Sequence, residues 1–304
     1  MSRSGPERRL DRLDWTVIRR LDGLLQGDYR TIFKGHGLDL ADIREYAFGD
    51  DVRHIDWNVT ARLDAPYVRE FLEDREITAH FLLDVSPSVD FGTVDRRKRD
   101  LLVDFTGVLA RLLTRHGNKV GATLYGSRVE RMIPARGGRI QVLRILDELE
   151  RRPHLERAPL TSLADLLDAA MRRLRRRSLV FVVSDFFSAS GWEERLRRLA
   201  RRHETMAVRL SDPREAELPD IGPVILTDSE TGEQLRVDTH DARFRARFAA
   251  AAARREESLR TTFDRANVDE LVLRTDEDLV HSVVRFAHAR KRRAARRAAM
   301  GATA

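Results

Sequence analysis

Leu10, Leu13, Val17, Ile18, Leu21, Leu24 and Leu25 recur three and four residues apart, the spacing that lines one face of a helix. Gly27 is expected to end that helix. Between Gly35 and about Arg62 no period persists, and the segment reads as turns pinned by polar contacts. Residues 66–73 read as a strand leading towards the one that ends at Asp84. From Ile77 onward apolar runs and helical spacing alternate. Helices are expected over 95–116, 140–150, 163–176, 192–202 and 242–267, with a final helix from Glu277. Strands are expected over 120–125, 129–133, 179–184, 205–210 and 268–273. Residues 223–227 and 234–238, joined through Asp228 to Gly232, read as a hairpin. The rhythm predicts an α/β protein with a mainly parallel sheet flanked by helices and an N-terminal helical and irregular extension. The expected division is 1–76 packing on a main domain of 77–290, which carries the hairpin insertion near 222–239, and a basic tail at 291–304.

Charge adds little to that picture. Charged residues are 35% of the chain and the net charge is +7, carried mostly by arginine; lysine occurs only at Lys34, Lys98, Lys119 and Lys291. Both signs are interspersed, which describes a solvated surface. The chain has no cysteine, so disulfides, thiolate zinc sites and thiol catalysis are excluded. No apolar run approaches the roughly 20 residues of a membrane span. The first residues lead into an amphipathic segment rather than a leader, and a cytoplasmic location is expected.

Candidate chemistry gathers where strands end. The apolar strand to Leu83 stops at Asp84-Val-Ser86-Pro-Ser88, placing a carboxylate and two hydroxyls at the carboxyl end of a strand, where open α/β sheets hold their ligands. A second apolar strand ends at Asp185, and Thr161 precedes a helix between them. Hydroxyls and carboxylates without thiols or imidazoles suit a hard divalent cation such as Mg²⁺, which takes oxygen ligands and keeps several waters. Asp84, Ser86, Ser88, Thr161 and Asp185 are therefore the candidate metal residues. Ser and Asp at such junctions also cap helices, which is the competing reading for each of them singly.

This arrangement resembles the von Willebrand factor A fold, a Rossmann-like architecture, with its metal-ion-dependent adhesion site. Asp84, Ser86 and Ser88 match the first element of that motif, Thr161 the second and Asp185 the third. Ser162 stands where the motif commonly has Asp, and Phe186 where it often has glycine. Upstream, Gly35-His-Gly-Leu-Asp-Leu-Ala-Asp-Ile-Arg-Glu-Tyr-Ala-Phe-Gly-Asp-Asp-Val-Arg-His-Ile-Asp-Trp-Asn-Val-Thr-Ala-Arg, followed by Val68-Arg-Glu-Phe, resembles the signature of the domain-of-unknown-function-58 family, with Asp39-Leu40 in place of the common Glu-Phe. The resemblance implies a von Willebrand A-like domain in bacterial proteins often encoded beside MoxR-type AAA+ ATPases. Within the signature, Arg44, Asp50, Asp51, Arg53, Asp56, Trp57, Arg62 and Arg69 are read as a polar clamp or partner-docking face, with Trp57 as an apolar anchor.

The function expected is a non-catalytic, Mg²⁺-dependent protein-binding module working with a MoxR-type AAA+ ATPase on client proteins. The chain has no Gly-x-x-x-x-Gly-Lys-[Ser/Thr] loop of its own, and Gly121-Ala-Thr-Leu-Tyr-Gly-Ser lies on an expected strand without the lysine. Two alternatives stand beside this. One is nucleic-acid binding through the arginine clusters at 172–177 and 291–297, although no specific nucleic-acid motif is evident. The other is a metal-dependent hydrolase, although no nucleophile elbow or zinc-protease helix is present. The histidines, including His36, His54 and His80, are scattered and read as structural or surface residues.

Overall fold

Every residue of the strand Leu179–Ser184 is buried, and so are all but the first of Thr78–Asp84. Strands apolar on both faces require cover on both faces, and this requirement sets the architecture. The computed structural model describes residues 5–25, 43–47, 52, 55, 57–63, 65–69, 77–94, 96–153 and 161–301. In chain order these form α1 (Gly5–Leu13), a π-helical turn at Asp14–Ile18, α2 (Arg19–Leu25), β1 (Ile43–Glu45), α3 (Trp57–Leu63), β2 (Tyr67–Arg69), β3 (Thr78–Asp84), α4 (Lys98–Arg115), β4 (Lys119–Tyr125) and β5 (Val129–Arg136). There follow α5 (Arg139–Glu150), α6 (Leu163–Arg173), β6 (Leu179–Ser184), α7 (Trp192–Arg202), β7 (Glu204–Ser211), β8 (Pro223–Thr227), β9 (Gln234–Asp238), α8 (Ala242–Ala266), β10 (Asp269–Arg274) and α9 (Leu279–Gly301).

Among the described residues the main sheet has six strands in the order β10-β7-β6-β3-β4-β5. All neighbours are parallel except β4 and β5, which form an antiparallel edge. Side chains alternate across the sheet. Phe81 and Leu83 point into a core shared with α1, α4, α5 and α9, whereas Leu82, Val180 and Val182 meet α6, α7 and α8. Phe81 stacks on Phe181 with ring centroids 5.2 Å apart, and Phe105 of α4 meets Phe181 edge-on at 6.2 Å.

Leu10, Leu13, Ile18 and Leu21 belong to the first of these cores. Gly107 of α4 permits that docking, because a β-carbon there would lie 3.2 Å from both Leu13 Cδ1 and Leu146 Cδ2. Arg9 adds an ion pair to Asp104 at 2.7 Å. Gly121 answers a second steric demand. It sits at a register shift between β4 and β5, and an added β-carbon would approach His80 Nδ1 to 2.8 Å and the Ile133 carbonyl oxygen to 2.9 Å. The glycine in that sequence run thus makes room for a neighbouring side chain and backbone. Gly121→Ala is expected to destabilise the fold by about 1–3 kcal/mol, the usual cost of overpacking; chemical denaturation of the two proteins measures it.

The described part of the segment read as turns departs from that reading. β1 pairs antiparallel with β2, with Arg44 opposite Val68, and α3 lies between them in the chain. Of the expected strand 66–73 the described residues are 66–69, and Tyr67–Arg69 form β2, which pairs with β1 in a separate two-stranded ribbon; 70–73 lie outside the described residues. Trp57, expected as an anchor, is 69% exposed, because it opens α3 with its ring towards solvent, whereas Val68 of β2 is buried. Arg44, Arg62 and Arg69 take backbone positions in β1, α3 and β2, while Asp50, Asp51, Arg53 and Asp56 lie outside the described residues. At the other end of the chain α9 continues through the basic run to Gly301. No helix among the described residues is long and apolar enough to cross a membrane.

Candidate metal centre

β3 and β6 are adjacent and parallel, with Leu83 level with Val183, so the segments that follow them leave the same edge of the sheet side by side. Asp84 ends β3 fully buried. Its Oδ1 accepts from the Ser86 amide at 3.1 Å, and its Oδ2 accepts from Ser184 Oγ at 2.6 Å. Ser86 and Ser88, both buried, place their hydroxyls 3.2 Å apart at the start of a 3₁₀ turn over Pro87–Asp90. The Asp-x-Ser-x-Ser spacing therefore converges on one point because the chain turns immediately after the strand.

After β6 the chain turns just as sharply. Phe186 adopts a left-handed backbone, φ 58°, which is costly for a residue with a β-carbon. Two contacts compensate. Its ring is buried against Trp192 and Phe263, with centroids 5.4 and 5.0 Å away, and its amide donates to Ser184 Oγ at 2.9 Å. The turn also lets the Phe187 amide donate to Asp185 Oδ1 at 3.0 Å. This is the position where the adhesion-site motif often has glycine, and the backbone here takes the conformation that glycine adopts most easily.

Thr161 joins these loops from a third direction. Its carbonyl accepts from the Ala189 amide and from Ser188 Oγ, both at 2.9 Å. Ser162, not Thr161, caps α6 by accepting from the Asp165 amide, and its own amide donates to Tyr125 Oη at 3.0 Å. That leaves Thr161 outside the cap, with its amide and hydroxyl both donating to the carboxylate of Glu230. All five candidate residues are buried, and hydrogen bonds tie their three loops together.

Four further residues complete the site. Lys98 opens α4 and is 1% exposed, with its ammonium 2.6 Å from both Asp185 Oδ2 and Glu215 Oε1. Burial works against its charge, but Asp185 and Glu215 outweigh that and hold its pKa above the usual lysine value. Arg255 of α8 lies over the Phe187 ring at 3.3 Å and donates to the Asp185 carbonyl at 2.8 Å. Glu230 comes from the turn between β8 and β9. Lys98 was readable as unusual, being one of four lysines in a chain that otherwise uses arginine. Glu215, Glu230 and Arg255 carried no local signal.

The charges do not balance. Among the described residues Lys98 pairs with Asp185 and Glu215, Arg255 reaches only the Asp185 carbonyl, and no cation pairs with the carboxylates of Asp84 or Glu230. Burial first, and then the neighbouring Asp185, push Asp84 up to about 7, against the hydrogen bonds from Ser184 and Ser86 that favour its charge. Among the described residues no three His, Cys, Asp or Glu side chains cluster as metal ligands. The donor set is instead rich in hydroxyls: Ser86, Ser88 and Thr161 with Asp84 and Asp185 behind them. An uncompensated acidic site with hard oxygen donors fits a divalent cation such as Mg²⁺.

A family model described as "Protein of unknown function DUF58" matches residues 42–258. The chain belongs to the DUF58 family. The DUF58 match spans every residue of the site just described. The uncharacterized protein Rv1480 of Mycobacterium tuberculosis is 38% identical over 280 residues, covering 92% of this chain and 88% of that protein. The uncharacterized protein MAV169 of Mycobacterium avium is 39% identical over 160 residues, covering 53% of this chain and 94% of that one. Among solved structures, the conserved hypothetical protein BatB from Bacteroides thetaiotaomicron superposes with a TM-score of 0.44 at 10% identity, over 71% of this chain and 99% of that one. An aerotolerance-related membrane protein from Bacteroides fragilis gives 0.45 at 13% identity, over 70% and 98%.

Proposed function

We propose that this DUF58 protein is a non-catalytic, Mg²⁺-dependent protein-binding module of the von Willebrand factor A type, acting with a MoxR-type AAA+ ATPase on client proteins. The observation that carries the metal part is the buried excess of carboxylate beside three hydroxyls at the carboxyl edge of the sheet. Ser86, Ser88 and Thr161 would offer their hydroxyls to the ion, with Asp84 and Asp185 supplying charge and holding its waters. Bound there, Mg²⁺ supplies an electrophilic position with few charged ligands, open to a carboxylate from another protein. The ATPase partner rests on the family resemblance and on the absence of a phosphate-binding loop from the sequence.

Isothermal titration tests the metal. Wild-type protein is expected to bind Mg²⁺, and Asp84→Ala to lose at least about 10–100-fold in affinity, as when groups orienting a metal's ligands are removed. Circular dichroism on the same samples checks that the variant is folded. Equal affinity of the two proteins rejects the site. Co-purification with and without chelator tests the partner: an AAA+ ATPase retained only with Mg²⁺ is the expected outcome.

A further inference from the structure

The hairpin β8–β9 stands apart from the main sheet. Two strands alone are marginally stable in water, and this pair leaves Ile225 and Leu235 more than half exposed. At its tip, however, Glu230 is 6% exposed. Asp228 Oδ1 shapes that tip by accepting from the Glu230 and Thr231 amides at 2.9 and 2.7 Å. The Glu230 carboxylate then takes the amide and hydroxyl of Thr161, a candidate metal ligand. A free-standing ribbon thus inserts one acidic side chain into the site, where negative charge is already in excess.

Beneath the hairpin lies a cavity of about 1330 Å³ that reaches Ser88, Lys98 and Glu230. Its apolar wall includes Phe91, Phe187, Leu218 and Phe248, together with Val224 and Leu226 of β8. Val224 and Leu226 are the half-buried residues of β8, alternating with the exposed Pro223, Ile225 and Thr227. The hairpin therefore presents a defined set to the site: a carboxylate at the tip and two aliphatic side chains along the adjoining strand.

We infer that the hairpin is a displaceable internal occupant of the site, and that the partner it gives way to presents an acidic side chain flanked by aliphatic ones. This inference rests on the reading of the strand edge as a protein-binding site, and it adds the chemistry of the partner and the competition that controls access. Glu230 holds the position an incoming carboxylate takes, and the cavity receives the apolar neighbours. Binding in this mode needs no rearrangement of the main sheet, because only a two-stranded ribbon moves.

The test uses the full chain and a fluorescent synthetic peptide copying residues 223–238, with fluorescence anisotropy read in Mg²⁺. The peptide is expected to bind Glu230→Ala at least tenfold more tightly than wild type, whose own hairpin competes. A peptide carrying Gln in place of Glu230 is expected to bind neither protein. Should Glu230→Ala not fold, as judged by circular dichroism, Glu230→Gln replaces it under the same criterion. Equal peptide affinity for wild type and variant, or equal affinity of the Glu and Gln peptides, overturns the inference. A separate Mg²⁺ titration of the wild type reports on the metal reading: silence there rejects bound Mg²⁺, while the comparison of peptides still decides whether Glu230 holds a carboxylate seat.

Discussion

Replacing Lys98 by Met is expected to cost about 3–5 kcal/mol of stability in the presence of chelator, the penalty for leaving a buried charge without its partner. The ammonium pairs with both Asp185 and Glu215, each 2.6 Å from it, and Asp185 is fully buried while Glu215 is partly exposed. Methionine fills a similar volume, so the effect reports charge rather than a cavity. The Phe91 and Phe187 rings, each 5.6 Å from the ammonium, give the thioether apolar company. Added Mg²⁺ is expected to recover part of the loss, because an ion at the candidate centre would compensate the same carboxylates. Urea denaturation with chelator and with Mg²⁺ gives both numbers. A variant as stable as wild type in chelator refutes the ion-pair argument, and one that Mg²⁺ leaves unchanged counts against the metal.

The second large effect is on pH dependence. His80 is 4% exposed, in β3, with Nε2 2.9 Å from Thr123 Oγ1 of β4. Burial, and then the neighbouring His203, lower its pKa from 6.5 to about 4. His203 is itself buried, and neither of its ring nitrogens has a hydrogen-bond partner among the described residues. Because the folded pKa lies below the unfolded one, the unfolded chain binds the proton more readily. The contribution of His80 to stability is therefore complete above pH 6.5 and is lost as pH falls through about 4. Its size is at most about 3 kcal/mol. Wild type is expected to lose that much more stability than His80→Gln between about pH 7 and 4, since the carboxylates common to both proteins contribute to each curve alike. Parallel stability profiles for the two proteins would show that His80 does not titrate in this way.

Asp84 and Asp185 were legible in the sequence because each ends an apolar run long enough to be a buried strand, and a polar residue there marks the sheet edge. The hairpin was legible from its paired runs and the Asp228–Gly232 turn, and the long helices from their apolar spacing. What escaped was short or distant. The three residues of β1 and the seven of α3 are too few to establish a period. Trp57 was misplaced because aromatic character indicates burial only on average, and the first residue of a helix can face water. Lys98 and Asp185 are 87 positions apart, and Thr161 and Glu230 69 apart. Only the fold connects such partners, because neither residue of a pair leaves a mark on the sequence around the other. The left-handed Phe186 was hidden for a related reason: its conformation is held by Trp192 and Phe263, which arrive from two other helices.

The docking of α1 against Gly107 bears on biosynthesis. The apolar face carrying Leu10, Leu13, Ile18 and Leu21 is made before the surfaces that cover it, which belong to α4, α5 and α9. At about 5–20 residues per second, the ribosome needs roughly 7–30 seconds to go from the end of α1 to the end of α5. For that interval the nascent chain carries an apolar face whose cover has not yet been made, so a chaperone that greets emerging polypeptides has a natural target in this segment.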